Sequence, residues 1–197
     1  MNPKLPGMPH THCFILRVSL DRIKPTIWRR LAVPSSITLD LLHDILQVVM
    51  GWEDYHLHEF TIGERRFTED PENPDEGEEE WGIVLGHLIT KAKAKFGYRY
   101  DFGDGWQHTI TVERISNVPA GHYLDILCLE GKRSCPPEDV GGPLGYASYL
   151  KAMTNRKHHD HEEMLQWRGD FDPEEFDIEK VNRELAKLIR WSRGRKH

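Results

Sequence analysis

Residues 13–20 (CFILRVSL), with Leu16, Val18 and Leu20 apolar about polar Arg17 and Ser19, and the apolar-rich residues 26–33 (TIWRRLAV) read as two strands. Pro25 lies in the short connection, so the two segments predict a hairpin. Pro34-Ser35-Ser36 ends the second strand. The step then becomes helical, with Leu41, Leu42, Ile45, Leu46 and Val49 on one stripe, Thr38 at the capping position, Asp40 in the first turn and Gly51 as the stop. Alternation resumes at residues 56–62 (HLHEFTI), with a turn at Ile62-Gly63-Glu64 leading back toward Arg66 and Phe67. A short apolar run at 83–89 reads as a helix. Residues 98–102 (YRYDF) and 106–114 (WQHTITVER) read as strands joined by Gly103-Asp104-Gly105, whose glycines accept the positive φ of a tight hairpin. A further strand is predicted at 122–129.

Beyond the Pro- and Gly-rich stretch at 130–143 the pattern is helical, at 144–153, at 161–167, and from the cap Asp177 through Ile178, Val181, Leu185, Leu188 and Ile189. Asp172-Pro173-Glu174-Glu175 is a helix-start signal of its own. Strands with one early helix, then strands, then helices predict an α+β fold: a mainly antiparallel sheet with the early helix packed on it, and helices at the C-terminal end. No repeat and no linker divides the chain. A single domain over residues 1–197 is expected, with a sheet-rich core at 13–142 and a helical part at 143–197.

Composition narrows the classes. The 197 residues carry 26 basic and 32 acidic side chains, a formal net charge of −6, which weighs against a surface built to coat nucleic acid. No apolar run approaches the roughly 18 residues of a membrane span, and residues 1–12 hold three prolines rather than a leader's apolar stretch. Three cysteines, Cys13, Cys128 and Cys135, with no CxxC pair, fit neither a disulfide framework nor a four-thiolate zinc site, and point to a reducing cytoplasm. Cys13 and Cys128 lie in apolar runs and read as core residues. Residues 69–80 hold eight acids and no base, with Pro71 and Pro74, and read as a solvated loop. The last twelve residues, 186–197, hold five bases and no acid, suiting a helix C-terminus.

Chemistry concentrates in three places. Of twelve histidines, His158, His159 and His161 cluster with Asp160, Glu162 and Glu163, either a solvated helix start or a knot that binds a divalent ion. Strand alternation places His56, His58, Phe60 and Ile62 on one inward face, and Trp106, His108, Ile110 and Val112 on another. With Asp101 and Asp104 beside the hairpin turn, the set His56, His58, Asp101, Asp104 and His108 is either a divalent-metal site of His and carboxylate type or a buried polar network that fixes strand register. The loop Cys135-Pro136-Pro137-Glu138-Asp139-Val140-Gly141-Gly142-Pro143 is stiffened by prolines and presents a thiol and two carboxylates. There, Glu138 or Asp139 can act as general base and Cys135 as nucleophile or metal ligand, with His108 as a partner; alternatively the carboxylates accept backbone N–H bonds within the loop. There is no P-loop, GxGxxG, HExxH or GxSxG motif, and no helix-turn-helix or zinc-finger pattern.

The run from Tyr98 through Gly103-Asp104-Gly105-Trp106-Gln107-His108 to Glu113, together with Cys135-Pro136-Pro137-Glu138-Asp139 and Gly141-Gly142, resembles the two hallmarks of the plasmid pRiA4b ORF-3-like family. Phe14 to Pro34, Gly51-Trp52, His56 to Phe60, and Asp170 to Pro173 fit the same pattern, so the resemblance spans about residues 13–190. It implies a compact α+β domain and directs attention to the two hallmark segments. Members occur on plasmids, in mobile elements and in bacterial and archaeal genomes, some labelled as transposon resolvase passengers. The nucleophilic Ser amid arginines of serine recombinases has no counterpart here, and the resemblance transfers no catalytic residue. Three functions follow as expectations. The first is a binding module whose polar cleft for an unidentified ligand or protein partner is formed by the GDG hairpin (Asp101, Asp104, Trp106, His108) and the CPPED loop (Cys135, Glu138, Asp139). The second is a metal- or thiol-dependent hydrolase. The third is a DNA-binding mobile-element accessory protein, which the net charge disfavours.

Overall fold

The computed structural model describes residues 12–73, 75–118 and 125–194. The first two strand segments form β1 (His12–Leu20) and β2 (Trp28–Pro34), paired antiparallel with Phe14 opposite Val33 and Leu16 opposite Leu31. Because the side-chain period is two, Phe14, Leu16, Val18, Leu20, Leu31 and Val33 share one face, and all are buried. Each such side chain contributes on the order of 1.5–3 kcal/mol relative to exposure. The predicted helix follows as α1 (Leu39–Met50), and Leu42, Ile45, Leu46 and Val49 pack into the same core. Thr38 takes the N-cap position without a side-chain capping bond. The helix start is held instead by the Leu39 N–H on the Ile83 carbonyl at 2.9 Å, while the Asp40 carboxylate accepts the Gly82 N–H at 3.0 Å. Gly51 ends the helix at φ 82° and donates to the Gln47 carbonyl.

The remaining strands are β3 (His58–Ile62), β4 (Arg65–Thr68), β5 (Glu78–Glu79), β6 (Lys95–Tyr100), β7 (Trp106–Asn117) and β8 (Leu127–Lys132). They join β1 and β2 in one eight-stranded sheet of order β5-β4-β3-β6-β7-β1-β2-β8, in which only β4 and β5 pair in parallel. The helices are α1, a single turn α2 (Leu85–Leu88), α3 (Gly142–Thr154), α4 (His161–Arg168) and α5 (Ile178–Gly194). Residues of α1, of α3 (Tyr146, Tyr149) and of α5 (Leu185) share the cluster lying on the inner sheet face. The opposite face keeps a small patch of Cys13, Ile15 and Ala32, and a polar ladder in which Arg17 stacks on Trp28 and Arg30 meets Glu113 at 2.8 Å. This is the α+β architecture that the pattern predicts.

Four local expectations change. The third strand begins at His58 rather than 56: residues 53–57 are outside the ladder, although the Leu57 carbonyl accepts the Asp101 N–H at 2.9 Å. The strand expected at 122–129 is β8, shifted to Leu127–Lys132; residues 122–124 lie outside the described residues. Residues 172–175 form a turn and not a helix start: the Asp172 carboxylate accepts the Glu174 N–H at 2.9 Å, and the helix waits for Asp177, whose side chain accepts the Lys180 N–H at 2.8 Å. The acidic stretch is exposed for most of its length, but Glu80 is buried, its carboxylate 2.9 Å from His58 Nε2. Cys13 and Cys128 are buried, as their apolar settings predict. Among the described residues no helix is long and apolar enough to cross a membrane. Residues 1–11 and the end of the basic tail, residues 195–197, lie outside the described residues.

Candidate functional site

The GDG hairpin is the turn between β6 and β7. Asp101 opens it in the left-handed region at φ 55°, where its carboxylate caps the bend: Oδ1 accepts the N–H of Gly103 at 2.9 Å and of Asp104 at 3.1 Å. Asp104 then reaches across to the distant proline-rich loop, its Oδ2 accepting the Gly141 N–H at 3.1 Å. The approach is close enough that a Cβ on Gly142 (φ 67°) would lie 2.4 Å from the Asp104 carbonyl oxygen. Only glycine admits both that conformation and that contact. The two segments, more than thirty residues apart, therefore touch through backbone.

The loop is fastened at two further points. The Trp52 indole N–H donates to the Pro136 carbonyl at 3.0 Å, and its ring stacks on Tyr100 at 4.9 Å. The Tyr100 hydroxyl donates to Glu138 Oε1, whose second oxygen accepts the Glu53 N–H at 3.2 Å. Burial, then the bond to the Glu138 carboxylate, pushes the Tyr100 phenol far above its ordinary range, so it stays a donor. The Glu138 carboxylate thus binds neighbouring elements rather than its own loop. Its neighbour Asp139, at φ 60° and 62% exposed at the side chain, turns outward.

Between Asp101 and Asp139 stands His56. Its Nε2 is 3.2 Å from Asp139 Oδ1 and 3.7 Å from Asp101 Oδ2; that nitrogen is shielded from solvent and, among the described residues, lacks a hydrogen bond of acceptable geometry. One nitrogen and two carboxylate oxygens, one from each of three separate segments, lie within 4.8 Å of one another. Next to this group opens a cleft of about 460 Å³ between the loop, α3 and α4, lined by Asp139, Ser148, Tyr149, Asp160, Glu163 and Trp167 among others. Tyr149 is 2% exposed and its hydroxyl has no hydrogen-bond partner among the described residues.

The five-residue His and Asp set separates into distinct environments. His56 and Asp101 meet, as above. Asp104 serves the hairpin-to-loop contact. His58 belongs to a separate buried network, stacked at 3.5 Å on His43 and bonded to Glu80. His43 continues that network to the Tyr98 hydroxyl and Asp54, each at 2.8 Å. His108 is fully buried; its Nδ1–H donates to the Tyr98 carbonyl at 3.2 Å, Nε2 has no hydrogen-bond partner among the described residues, and burial lowers its pKa to about 4. Trp106 is buried in the core beside Trp52. Cys135 faces a different side from Asp139: its sulfur accepts from Arg29 Nη2 at 3.2 Å and meets Met50 Sδ at 3.5 Å. Burial pushes that thiol pKa up, against the nearby Arg29 charge, so it is held as the neutral thiol at neutral pH. The C-terminal histidine knot also divides. His161 turns inward to the Ala152 carbonyl at 2.9 Å, leaving His158, His159 and Asp160 outside.

Sequence reasoning missed Tyr100, Tyr149, His43 and Glu80. A signal existed for two of them. Tyr100 shares the inward parity of Tyr98, and His43 with Gln47 falls on the apolar stripe of α1, where polar groups require buried partners. Nothing local distinguishes Glu80 from its exposed acidic neighbours.

A family model described as "Plasmid pRiA4b ORF-3-like protein" matches residues 12–180. The chain is 38% identical over 190 residues to the uncharacterized protein y4hQ of Sinorhizobium fredii, covering 90% of this chain and 93% of that one. A crystal structure of a protein of unknown function, MM3350 from Methanosarcina mazei Go1, superposes with a TM-score of 0.77 at 35% identity, covering 87% of this chain and 98% of that one.

Proposed function

The chain belongs to the plasmid pRiA4b ORF-3-like family, and from that premise we propose that it is a binding module whose ligand enters the cleft beside the joined hairpin and proline-rich loop. The observation that carries this reading is the set of contacts that hold Asp139 at the cleft mouth: the exposed Asp104–Gly141 bond, the close Gly142 approach, and the buried Trp52 and Tyr100 anchors. Rigid presentation of an exposed carboxylate beside a concave wall with an unpartnered buried hydroxyl is what recognition requires. A thiol route lacks support, since the Cys135 sulfur contacts Arg29 and Met50 and its pKa is raised.

The ligand is a positively charged amine. Three carboxylates, of Asp139, Asp160 and Glu163, line the cleft together with the rings of Tyr149 and Trp167. Carboxylates and aromatic faces together favour ammonium groups. Arg168, which stacks on Trp167 at 4.7 Å, is tied to the Glu138 carbonyl at 2.9 Å. Titration of the purified protein with cadaverine, tetramethylammonium and, as anionic controls, acetate and glutarate tests this, followed by ligand-observed NMR and tryptophan fluorescence. Saturable binding of a cation, lost when Ser148→Trp fills the cleft, is expected. Saturation by the anions alone, or unchanged affinity in Ser148→Trp, would overturn it.

A further inference from the structure

We infer that His56, Asp101 and Asp139 form a binding site for one divalent transition-metal ion, which staples the GDG hairpin to the proline-rich loop. The argument begins with distances. Ligands bonded at about 2.0–2.1 Å to a tetrahedral ion lie about 3.4 Å from one another. The His56 nitrogen is 3.2 Å from one carboxylate oxygen and 3.7 Å from the other, which brackets that spacing. The same contacts are poor as hydrogen bonds: the 3.7 Å separation from Asp101 is too long, and the 3.2 Å approach to Asp139 is misaligned. A nitrogen that reaches neither acceptor as a hydrogen bond is well placed toward an ion between all three.

The ligand types agree. Imidazole with two carboxylates suits zinc, manganese, cobalt or nickel, and disfavours calcium, which takes six to eight oxygens. The surroundings orient the ligands as metal sites require. Asp101 uses Oδ1 on the turn N–H groups of Gly103 and Asp104, which leaves Oδ2 facing His56. Asp139 is set by a loop pinned through Glu138 and Gly141 on either side of it. Two carboxylates and a neutral imidazole around a divalent ion sum to zero charge, so the ion removes the repulsion between Asp101 and Asp139. Asp160 and Glu163 are left to set the charge of the adjacent cleft. With three protein ligands, the ion keeps at least one position for water or a ligand donor.

Among the described residues, the two other groups of suitable residues make weaker sites. His43 already has both ring nitrogens bonded, to Tyr98 and Asp54. His158 and His159 both flank Asp160 on an exposed turn, where His159 is 82% exposed.

Untagged protein, stripped with chelator, is titrated with Zn²⁺ by calorimetry and with Co²⁺ by absorption. One ion per chain is expected, with a higher melting temperature when loaded. Asp139→Ala, at an exposed side chain, and His56→Gln are expected to weaken binding by at least about tenfold while keeping the wild-type circular dichroism spectrum and metal-free melting temperature. His159→Gln is expected to bind as wild type. Absence of a stoichiometric site in the folded protein, wild-type affinity in Asp139→Ala and His56→Gln, or loss of binding in His159→Gln would each overturn the site. No amine is used, so this result and that of the cleft titration can fail separately.

Discussion

His108 is where a single residue couples the core to pH. Burial without a charge partner lowers its pKa to about 4 from 6.5, against the raising effect of its contacts with the backbone of Tyr98 and Trp106. The imidazole is therefore neutral in the folded protein over a range in which it is protonated in the unfolded chain. Its contribution to stability is fully present above pH 6.5 and is lost progressively as pH falls toward 4. The linkage is on the order of 3 kcal/mol across that window. His108→Gln is expected to flatten the dependence of unfolding free energy on pH between these limits by about one proton. Chemical denaturation at a series of pH values checks this, and parallel curves for the two proteins would show that the titrating group lies elsewhere. The inward direction of His108 was legible in the strand period. Its isolation from Asp101 and Asp104 was not, because parity gives a face and not a partner.

At the scale of elements, the joint between the β6–β7 hairpin and the start of α3 rests on Gly142. Gly142→Ala places a Cβ 2.4 Å from the Asp104 carbonyl at φ 67°, so it suffers both backbone strain and a clash with main chain. Gly51→Ala, at φ 82° with nothing within 4 Å, suffers the strain alone. The expected costs are about 3 kcal/mol or more for Gly142→Ala and about 1 kcal/mol for Gly51→Ala. Urea midpoints of the two variants measure the difference, and equal midpoints would mean that the hairpin and loop yield freely. The elements themselves were readable. The α1 stripe and the strands around the GDG turn satisfy their periods over whole segments, and the core accepted them where the period put them. Asp172-Pro173-Glu174-Glu175 misled because the turn it forms uses the same side-chain-to-backbone bond as a helix cap.

Across the whole molecule, Arg29 ties together what the sheet alone leaves apart. Its buried guanidinium donates to the carbonyls of Val49 at 2.8 Å, Trp28 at 2.9 Å, Lys132 at 3.0 Å and Arg133 at 2.9 Å, and its face lies 4.1 Å from the Phe176 ring centroid. It so joins the end of α1, the outer strands and the approach to α5. A lysine has three donors on a flexible stem and cannot reproduce that fork. Arg29→Lys is expected to lower unfolding free energy by about 3 kcal/mol, read from denaturant melts, whereas a loss within about 0.5 kcal/mol would mean that the bonds are replaced by water. Parity puts Arg29 on the inner face with Ile27, Leu31 and Val33, and Arg30 on the outer face with Glu113, but no local pattern gives Arg29 its partners. The same holds for the candidate site. The amino-acid sequence by itself determined the strands, the long helices, the inward faces and the two loops whose composition serves no core. These follow from periodicity and turn chemistry, which act over a few residues. Only the tertiary structure decided that His56, not His58, meets Asp101 and Asp139, that Cys135 looks away from them, and that Glu80 is buried. Those outcomes depend on which segments the sheet order and its twist bring side by side, and such proximity is a property of the packed chain that no local pattern encodes.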